Sequence, residues 1–377
     1  MDGGARMSPA QARQRQAGAT GYLTIDLVAL RRNYETIAAA VAPAKAAAVV
    51  KADAYGLGAD RVAPALYHSG CRDFFVAQFG EAEKLRPHLE ADARIYVLNG
   101  LQPGAEGTCA QTGVVPVLNS MEQYKRWRST ALAQNRVLPA VLQFDTGMTR
   151  LGIPPEDRAA FAAELTHTDV VEIRFIMSHL ASADETDNGQ NAQQLAEMRK
   201  IAAEFPQFSV SFANSGGVFL GSDYHGVLTR AGIAVYGGAL TVDKSNNIQP
   251  VIRLDVAVVQ TRSVPPGTLI GYGGTHAAKV EMRLATLAAG YADGLPRCLG
   301  DRGAVYYEGV RLPIVGRVSM DSITIDVTAL PPGTLKLGSL VEMIGPHQTL
   351  EDLAKSAGTI SYEILTGLGH RYHRDYL

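Results

Sequence analysis

VVKADAYGLG, residues 49–58, brings a lysine to the end of an apolar, strand-like run and sets a tyrosine four places on, with glycines around a turn. The run before it, PAKAAAVV at 43–50, is small and apolar on every face, the pattern of a strand covered on both sides. Working outward, segments of this kind recur every 25 to 35 residues or so, the length of a βα unit. The expected strands are 46–50, 74–77, 94–98, 115–118, 140–144, 172–177, 208–213 and 227–229. Amphipathic stretches at 27–41, 80–88, 120–133 and 190–204 lie between them. Eight such strands predict a (β/α)8 barrel; a doubly wound open sheet would use the same local pattern.

After about residue 245 the texture changes to valine-rich strands and Pro/Gly turns, as in VIRLDVAVVQTRSVPPGTLIGYGG and AVYYEGVRLPIVGRVSMDSITIDV. The fold class is therefore α/β: an N-terminal barrel over 21–245 followed by a mostly β-strand domain over 246–377. A first strand at about 21–26 can pack with the second domain. Residues 1–20 read as a disordered leader, and 349–357 as a late helix.

With 377 residues, 46% hydrophobic and 19% charged, and a net charge of -2, the chain has ample core and no bias toward polyanions, so small-molecule partners are expected rather than nucleic acid. Cys71, Cys109 and Cys298 stand far apart without a CxxC motif, which offers neither a zinc site nor a disulfide framework. The leader lacks the apolar core of a signal peptide, and no run approaches the roughly 18 apolar residues of a membrane helix. A cytoplasmic protein without metal or membrane association is expected.

A barrel carries its chemistry where strands end. LQFDTGMTRLG (142–152), FIMSHLASAD (175–184), SFANSGG (211–217) and LTRAGIAVYGG (228–238) each carry a distinct polar group out of an apolar run: Arg150, His179, Asn214 with Ser215, and Arg230. Taken singly, the arginines suit structural ion pairs and the histidine a satisfied core position. Lys51 either snorkels to solvent at the rim or is desolvated into a nucleophilic amine able to condense with a carbonyl compound. The junctions at 214–217 and 230–233 are either ordinary glycine turns or unhindered backbone N–H groups suited to a phosphate. An amine beside a phosphate site points to a cofactor bearing an aldehyde and a phosphate.

VVKADAYGLG, DTGMTRLG, MSHLASAD, ANSGG, TRAGIAVYG, GYGGT, AGYADGLPR, GRVSMD and ISYEILTGLG, in this order from Lys51 to Gly369, resemble alanine racemase, a pyridoxal-phosphate enzyme of fold type III. The resemblance covers nearly the whole chain after the leader. It implies a cofactor-bearing barrel, a β domain, and a homodimer whose subunits share active sites. Lys51 would bind pyridoxal 5'-phosphate and act as base on one face of the substrate, and Tyr272 of the partner subunit as base on the other. Racemisation needs both, because one fixed base tends to return the proton to the face it left. A tyrosine ordinarily ionises near pH ~10, and the resemblance implies help from His179, itself on Arg230. Arg230 would also face the pyridine nitrogen; a guanidinium keeps that nitrogen unprotonated and the electron sink weak, which favours racemisation over transamination.

The phosphate would lie on Tyr55, Ser215, Gly232, Ile233 and Tyr362, with Asn214 close by. The substrate carboxylate would lie on Arg150 and the N–H of Met320, with Asp321 in the site. Tyr291, Asp184, Arg297 and Arg317 resemble the family's narrow substrate corridor, which admits small amino acids such as alanine. Two positions depart from the pattern. Gln143 stands where many members have a carbamylated lysine and cannot supply its negative charge to Arg150; Ser319 stands where a cysteine often precedes Met-Asp. The runners-up are a broad-specificity or serine racemase, a decarboxylase on the same architecture, and a non-catalytic cofactor-binding barrel, which would lack the β domain. Synthesis and degradation of D-alanine would use the same site.

Overall fold

The computed structural model describes residues 18–165, 170–238 and 247–377; all but the last three residues of the leader lie outside the described residues. The chain divides into two compact units, one made of Leu30–Gln249, the other of Pro250–Leu377 with the N-terminal segment up to Ala29. β1 (Gly21–Ile25) belongs to the latter. The Leu30–Gln249 unit contains β2 (Lys45–Val49), β3 (Asp73–Val76), β4 (Arg94–Val97), β5 (Val115–Leu118), β6 (Leu138–Gln143), β7 (Val171–Met177), β8 (Val210–Ser211) and β9 (Leu228–Ala231). They hydrogen-bond in the order β8-β7-β6-β5-β4-β3-β2-β9, each neighbour parallel. The two outer strands meet beyond their ends through a parallel bridge from Asn214 to Arg230, where Arg230 N–H donates to Ala213 O at 2.9 Å.

This is the expected barrel, closed by its thinnest seam. Strands covered on both faces by barrel core and helices need apolar side chains throughout, and the runs AAAV in β2 and DFFV in β3 are buried along their lengths. Between strands lie helices Met121–Gln134 and Gly189–Glu204, whose starts are fixed by side-chain caps: Ser120 Oγ accepts from Gln123 N and Asn188 Oδ1 from Gln190 N. The expected strand at 208–213 shrinks to Val210–Ser211. Gly226 lies against Val210 O with no room for a Cβ, and from Phe212 onward the backbone leaves the ladder to make the seam.

In the second unit, β10 (Ile252–Val264) is the spine. β1 pairs antiparallel with its first half, from Gly21 opposite Val256 to Ile25 opposite Ile252. Strand Met282–Leu287 pairs with its second half, and a register shift between Val258 and Gln260 bends β10 between the two partnerships. Strand His373–Tyr376 runs parallel to β1 on its other side, and Thr349 caps helix Leu350–Ala357. Among the described residues no helix is long and apolar enough to cross a membrane.

Asn33 is fully buried and ties the end of the barrel unit back onto it. Its Oδ1 accepts from Gln249 N at 2.7 Å, and its Nδ2 donates to Gln249 O at 2.8 Å and Val235 O at 3.3 Å. Asn33→Ala should cost about 2 kcal/mol, because it strands buried backbone groups; a fall in the urea-unfolding midpoint would register it.

Candidate active site

Lys51 follows β2 directly, its chain anchored by Val50 N–H donating to Phe75 O at 2.8 Å. The next residues do something the sequence does not announce. Ala52, Asp53, Ala54 and Tyr55 all have φ between 53° and 57°, a complete left-handed turn built from non-glycine residues. Each such residue costs roughly 1–2 kcal/mol, so the turn persists only because its surroundings over-determine it. Glu81 supplies part of that: Oε1 accepts from Ala52 N at 2.6 Å, and Oε2 from Ala77 N at 2.7 Å and Gln78 N at 3.0 Å. The one of these bonds that reaches the turn, from Ala52 N, contributes about 1.5–3 kcal/mol, comparable to the strain of a single residue of the four. The half-buried Lys51 amine is pushed down from its ordinary pKa by burial and then by Arg150, with Glu81 pulling the other way.

Arg150 is delivered by a loop closed on itself. Asp145 Oδ1 accepts from the N–H groups of Gly147, Met148 and Thr149 at 2.9, 3.0 and 3.1 Å, and Phe144 bridges to Ile153. Gly152 has φ 109°, and a Cβ there would sit 2.6 Å from Phe144 C, so glycine is obligatory. The Arg150 side chain is exposed at the barrel mouth and forms no ion pair among the described residues. Gln143 is buried and donates through Nε2 to Leu151 O at 3.3 Å; it braces the backbone after Arg150 rather than the guanidinium.

His179 leaves β7 into the same mouth. Burial first, then Arg230, Arg150 and Lys51, hold its pKa well below the ordinary imidazole value, so the ring is neutral at physiological pH. Its loop is bound to the Arg150 loop by Gln194, whose Nε2 donates to His179 O and Thr146 Oγ1 at 2.9 and 3.0 Å and whose Oε1 accepts from Ala181 N at 2.8 Å. Asp184 is exposed farther along this loop.

Arg230, 2% exposed, stitches the barrel seam. Nη1 donates to Ser211 Oγ at 2.7 Å, and Nη2 donates to Ser178 O and Phe212 O. None of these bonds goes to His179, contrary to the relay the resemblance implies; the two interact through charge alone. Every partner is a neutral oxygen, burial brings the guanidinium pKa down to about 9, and it stays cationic at neutrality. Next to it, Asn214 Oδ1 accepts from Gly217 N at 3.0 Å, and Ser215 Oγ accepts from Gly232 N at 2.7 Å. The Tyr55 hydroxyl occupies the place a Cβ on residue 232 would take, and its ring stacks on Tyr236 at 4.5 Å. Hydroxyls of Tyr55 and Ser215 thus converge on the backbone at Gly232, and Ser215 Oγ also accepts from Ala234 N at 3.4 Å.

The second unit assembles its own cluster. Tyr272 stands on a short turn, Tyr272–Gly274, made possible by Gly271 and Gly273 at φ 73° and 72°. A Cβ on Gly273 would come 3.2 Å from Arg317 Nη1, so tyrosine and arginine are neighbours. Tyr291 N donates to Ser319 O at 3.1 Å and Ala292 N to Met320 O at 3.0 Å. Arg371 grips Asp293 with two bonds and Asp321 with one, all at 2.6 Å. Arg297 opens the turn Arg297–Leu299, and Gly300 after it lies against Gly316 O. Tyr272, Met320 and Tyr291 are 71%, 53% and 44% exposed, a large apolar exposure for one patch. Tyr362 is half-buried on helix Ser361–Gly367.

The model of the alanine racemase N-terminal domain matches residues 25–239, and that of the C-terminal domain 251–376. The chain belongs to the alanine racemase family. A catabolic alanine racemase of Rhizobium johnstonii is 66% identical over 95% of both chains, and one of Agrobacterium fabrum 60% identical over 97% of this chain and 94% of its own. The crystal structure of alanine racemase from Bartonella henselae, with covalently bound pyridoxal phosphate, superposes with a TM-score of 0.93 at 43% identity, covering 95% of this chain and 100% of that one. The family's barrel and β domain are thus the fold described above.

Glu81 and Gln194 escaped the sequence reading. Glu81 left one trace, a Gln-x-x-Glu spacing from Gln78 that marks a helix start; Gln194 left none, since a polar helix residue reads as solvent-facing. A family member with this neutral histidine should show it in its stability. The unfolded chain takes up the His179 proton near its ordinary pKa of 6.5 and the folded chain only well below that, so stability falls as pH drops through 6.5. Melting temperatures of the apoprotein from pH 8 to 5 should therefore decline less steeply for His179→Gln.

Proposed function

We propose that the chain interconverts L- and D-alanine with pyridoxal phosphate held at the barrel mouth. What carries the reading is the charge that converges on His179: the half-buried Lys51 amine of lowered pKa, Arg150 and the buried guanidinium of Arg230. The residues fit the cofactor. Ser215, Tyr55 and the backbone at Gly232 and Ile233 would hold its phosphate, and Gly232 has no side chain to obstruct it. Lys51 would hold its aldehyde carbon, and Arg230 would offer Nε–H to the ring nitrogen. When bound, pyridoxal phosphate supplies the electron sink that makes the Cα–H of an amino acid removable as a proton.

The chain's own groups then do the rest. Arg150 is free to take the substrate carboxylate, its fork matching two oxygens. Lys51 Nζ, its pKa lowered toward neutrality, moves the proton on one face. Tyr272 of the partner subunit moves it on the other, with the partner's Met320 N–H beside the carboxylate and Tyr291, Asp184, Arg297 and Arg317 narrowing the approach. The exposure of Tyr272, Met320 and Tyr291 in a single chain supports their being covered in a homodimer. His179, held neutral by burial and its cationic neighbours, can accept a hydrogen bond from the phenol. The two relatives named catabolic favour degradation of D-alanine as the physiological direction.

Borohydride reduction of the purified protein with pyridoxal phosphate should fix a cofactor mass on the Lys51 peptide, and Lys51→Ala should abolish both that mass and turnover of either enantiomer. A wild-type protein that binds no cofactor and converts neither enantiomer would refute the reading. Tyr272→Phe should slow Cα–H exchange into solvent deuterium by at least a hundredfold for one enantiomer and far less for the other. Equal losses would exclude separate bases. Mixing inactive Lys51→Ala and Tyr272→Phe proteins should return partial activity; none despite subunit exchange would exclude shared sites.

A further inference from the structure

Outside the groups assigned above, one carboxylate touches the machinery from an unexpected side. Glu81 begins the helix after β3, yet its side chain reaches back across two barrel units. One oxygen takes Ala52 N–H, the first amide of the left-handed turn; the other takes Ala77 N–H and Gln78 N–H at the end of β3. We infer that Glu81 is the positioning residue of Lys51: its carboxylate clamps the strained turn to the end of the neighbouring strand and so sets where the amine stands.

Three observations lead there. The turn comprises consecutive L-residues in the left-handed region, a conformation that relaxes unless something outside holds it. The backbone bonds within it are local, among them Ala54 N to Val50 O, Gly58 N to Asp53 O, and Ala59 N to Asp53 Oδ1, while at its far end the Tyr55 ring stacks on Tyr236. Finally, Ala52 adjoins Lys51 in the chain, so rotation of its amide swings the lysine stem. No ion pair joins Glu81 to the amine, so it acts through the backbone. Its charge has a second effect: it is the carboxylate that opposes Arg150 and burial at Lys51; His179 feels the Lys51 charge, and Asp53 and Tyr55 stand in the same turn. A glutamine cannot replace it, because an amide offers one acceptor oxygen and would turn an NH2 toward backbone donors.

The inference rests on Lys51 as the cofactor-bearing amine, and the test separates the two. Apoprotein is labelled at lysine with acetic anhydride across pH, and the Lys51 peptide is quantified by mass spectrometry. Pyridoxal phosphate affinity is measured in parallel for wild type, Glu81→Gln, Glu81→Ala, Ala52→Gly and Glu81→Ala with Ala52→Gly. Removing the Glu81 charge should move the Lys51 labelling midpoint to lower pH and weaken cofactor binding at least tenfold. Ala52→Gly, which makes the turn's first positive φ free of strain, should recover at least threefold of that affinity in the Glu81→Ala background while changing wild type less than twofold. The recovery is specific to a clamp; a helix cap would not produce it. If Glu81→Ala does not fold, Glu81→Gln with and without Ala52→Gly is read instead. Lowered thermal stability with labelling and affinity within twofold of wild type would reduce Glu81 to a helix cap and overturn the inference, as would failure of Ala52→Gly to recover affinity. Were Lys51 not the cofactor amine, affinity would be insensitive in every variant while the labelling midpoint still moved.

Discussion

Positive charge without a paired carboxylate governs the barrel mouth. Arg150 acts on Lys51, and Arg230, Arg150 and Lys51 all act on His179, through charge; burying an ion costs several kcal/mol unless its hydrogen bonds are met. The chain meets them with neutral oxygens: Ser178 O, Ser211 Oγ and Phe212 O on Arg230. Around Arg230 and the His179 loop stand amides and hydroxyls, Thr146, Ser178 and Gln194, while Glu81 is the acid that acts on Lys51. A carboxylate against Arg230 would neutralise a guanidinium that, in the proposed function, would face the ring nitrogen of the cofactor. The neutral imidazole and the lowered lysine follow first from burial and then from this charge distribution.

That guanidinium also belongs to the fold. β8 is only two residues long, and the ladder between β8 and β9 reduces to bridges. Arg230 reaches from β9 to the ends of β8 and β7, so the seam is held largely by side-chain bonds. The barrel is closed where its chemistry sits, which gives short, buried, charge-assisted contacts the work a backbone ladder does elsewhere.

Much of this was legible. Lys51, Arg150, His179 and Arg230 stood out because a polar group ending an apolar run has few reasons to be there, and strand spacing put those ends on one side. Asn214, Ser215 and Gly232 were visible through their glycine context. The strained turn was not: the glycines of VVKADAYGLG suggested where the backbone bends, yet the left-handed residues are Ala52, Asp53, Ala54 and Tyr55. Propensity describes what a residue prefers alone, and here Glu81, distant in sequence, overrides it. Gln143 shows the same limit, since its type did not reveal that it braces Leu151 O.

By itself the sequence determined the alternation of strands and helices, the switch to a β-rich unit, and the identity of the groups at each strand end, because periodicity and polarity are local properties. Tertiary structure decided which of those groups feel one another: that Arg230 binds neutral oxygens rather than His179, that Asp145 folds a loop beneath Arg150, and that a carboxylate from the next βα unit holds the lysine's turn. Such choices depend on burial and on hydrogen-bond distances between segments dozens of residues apart. Neither quantity exists until the barrel has closed.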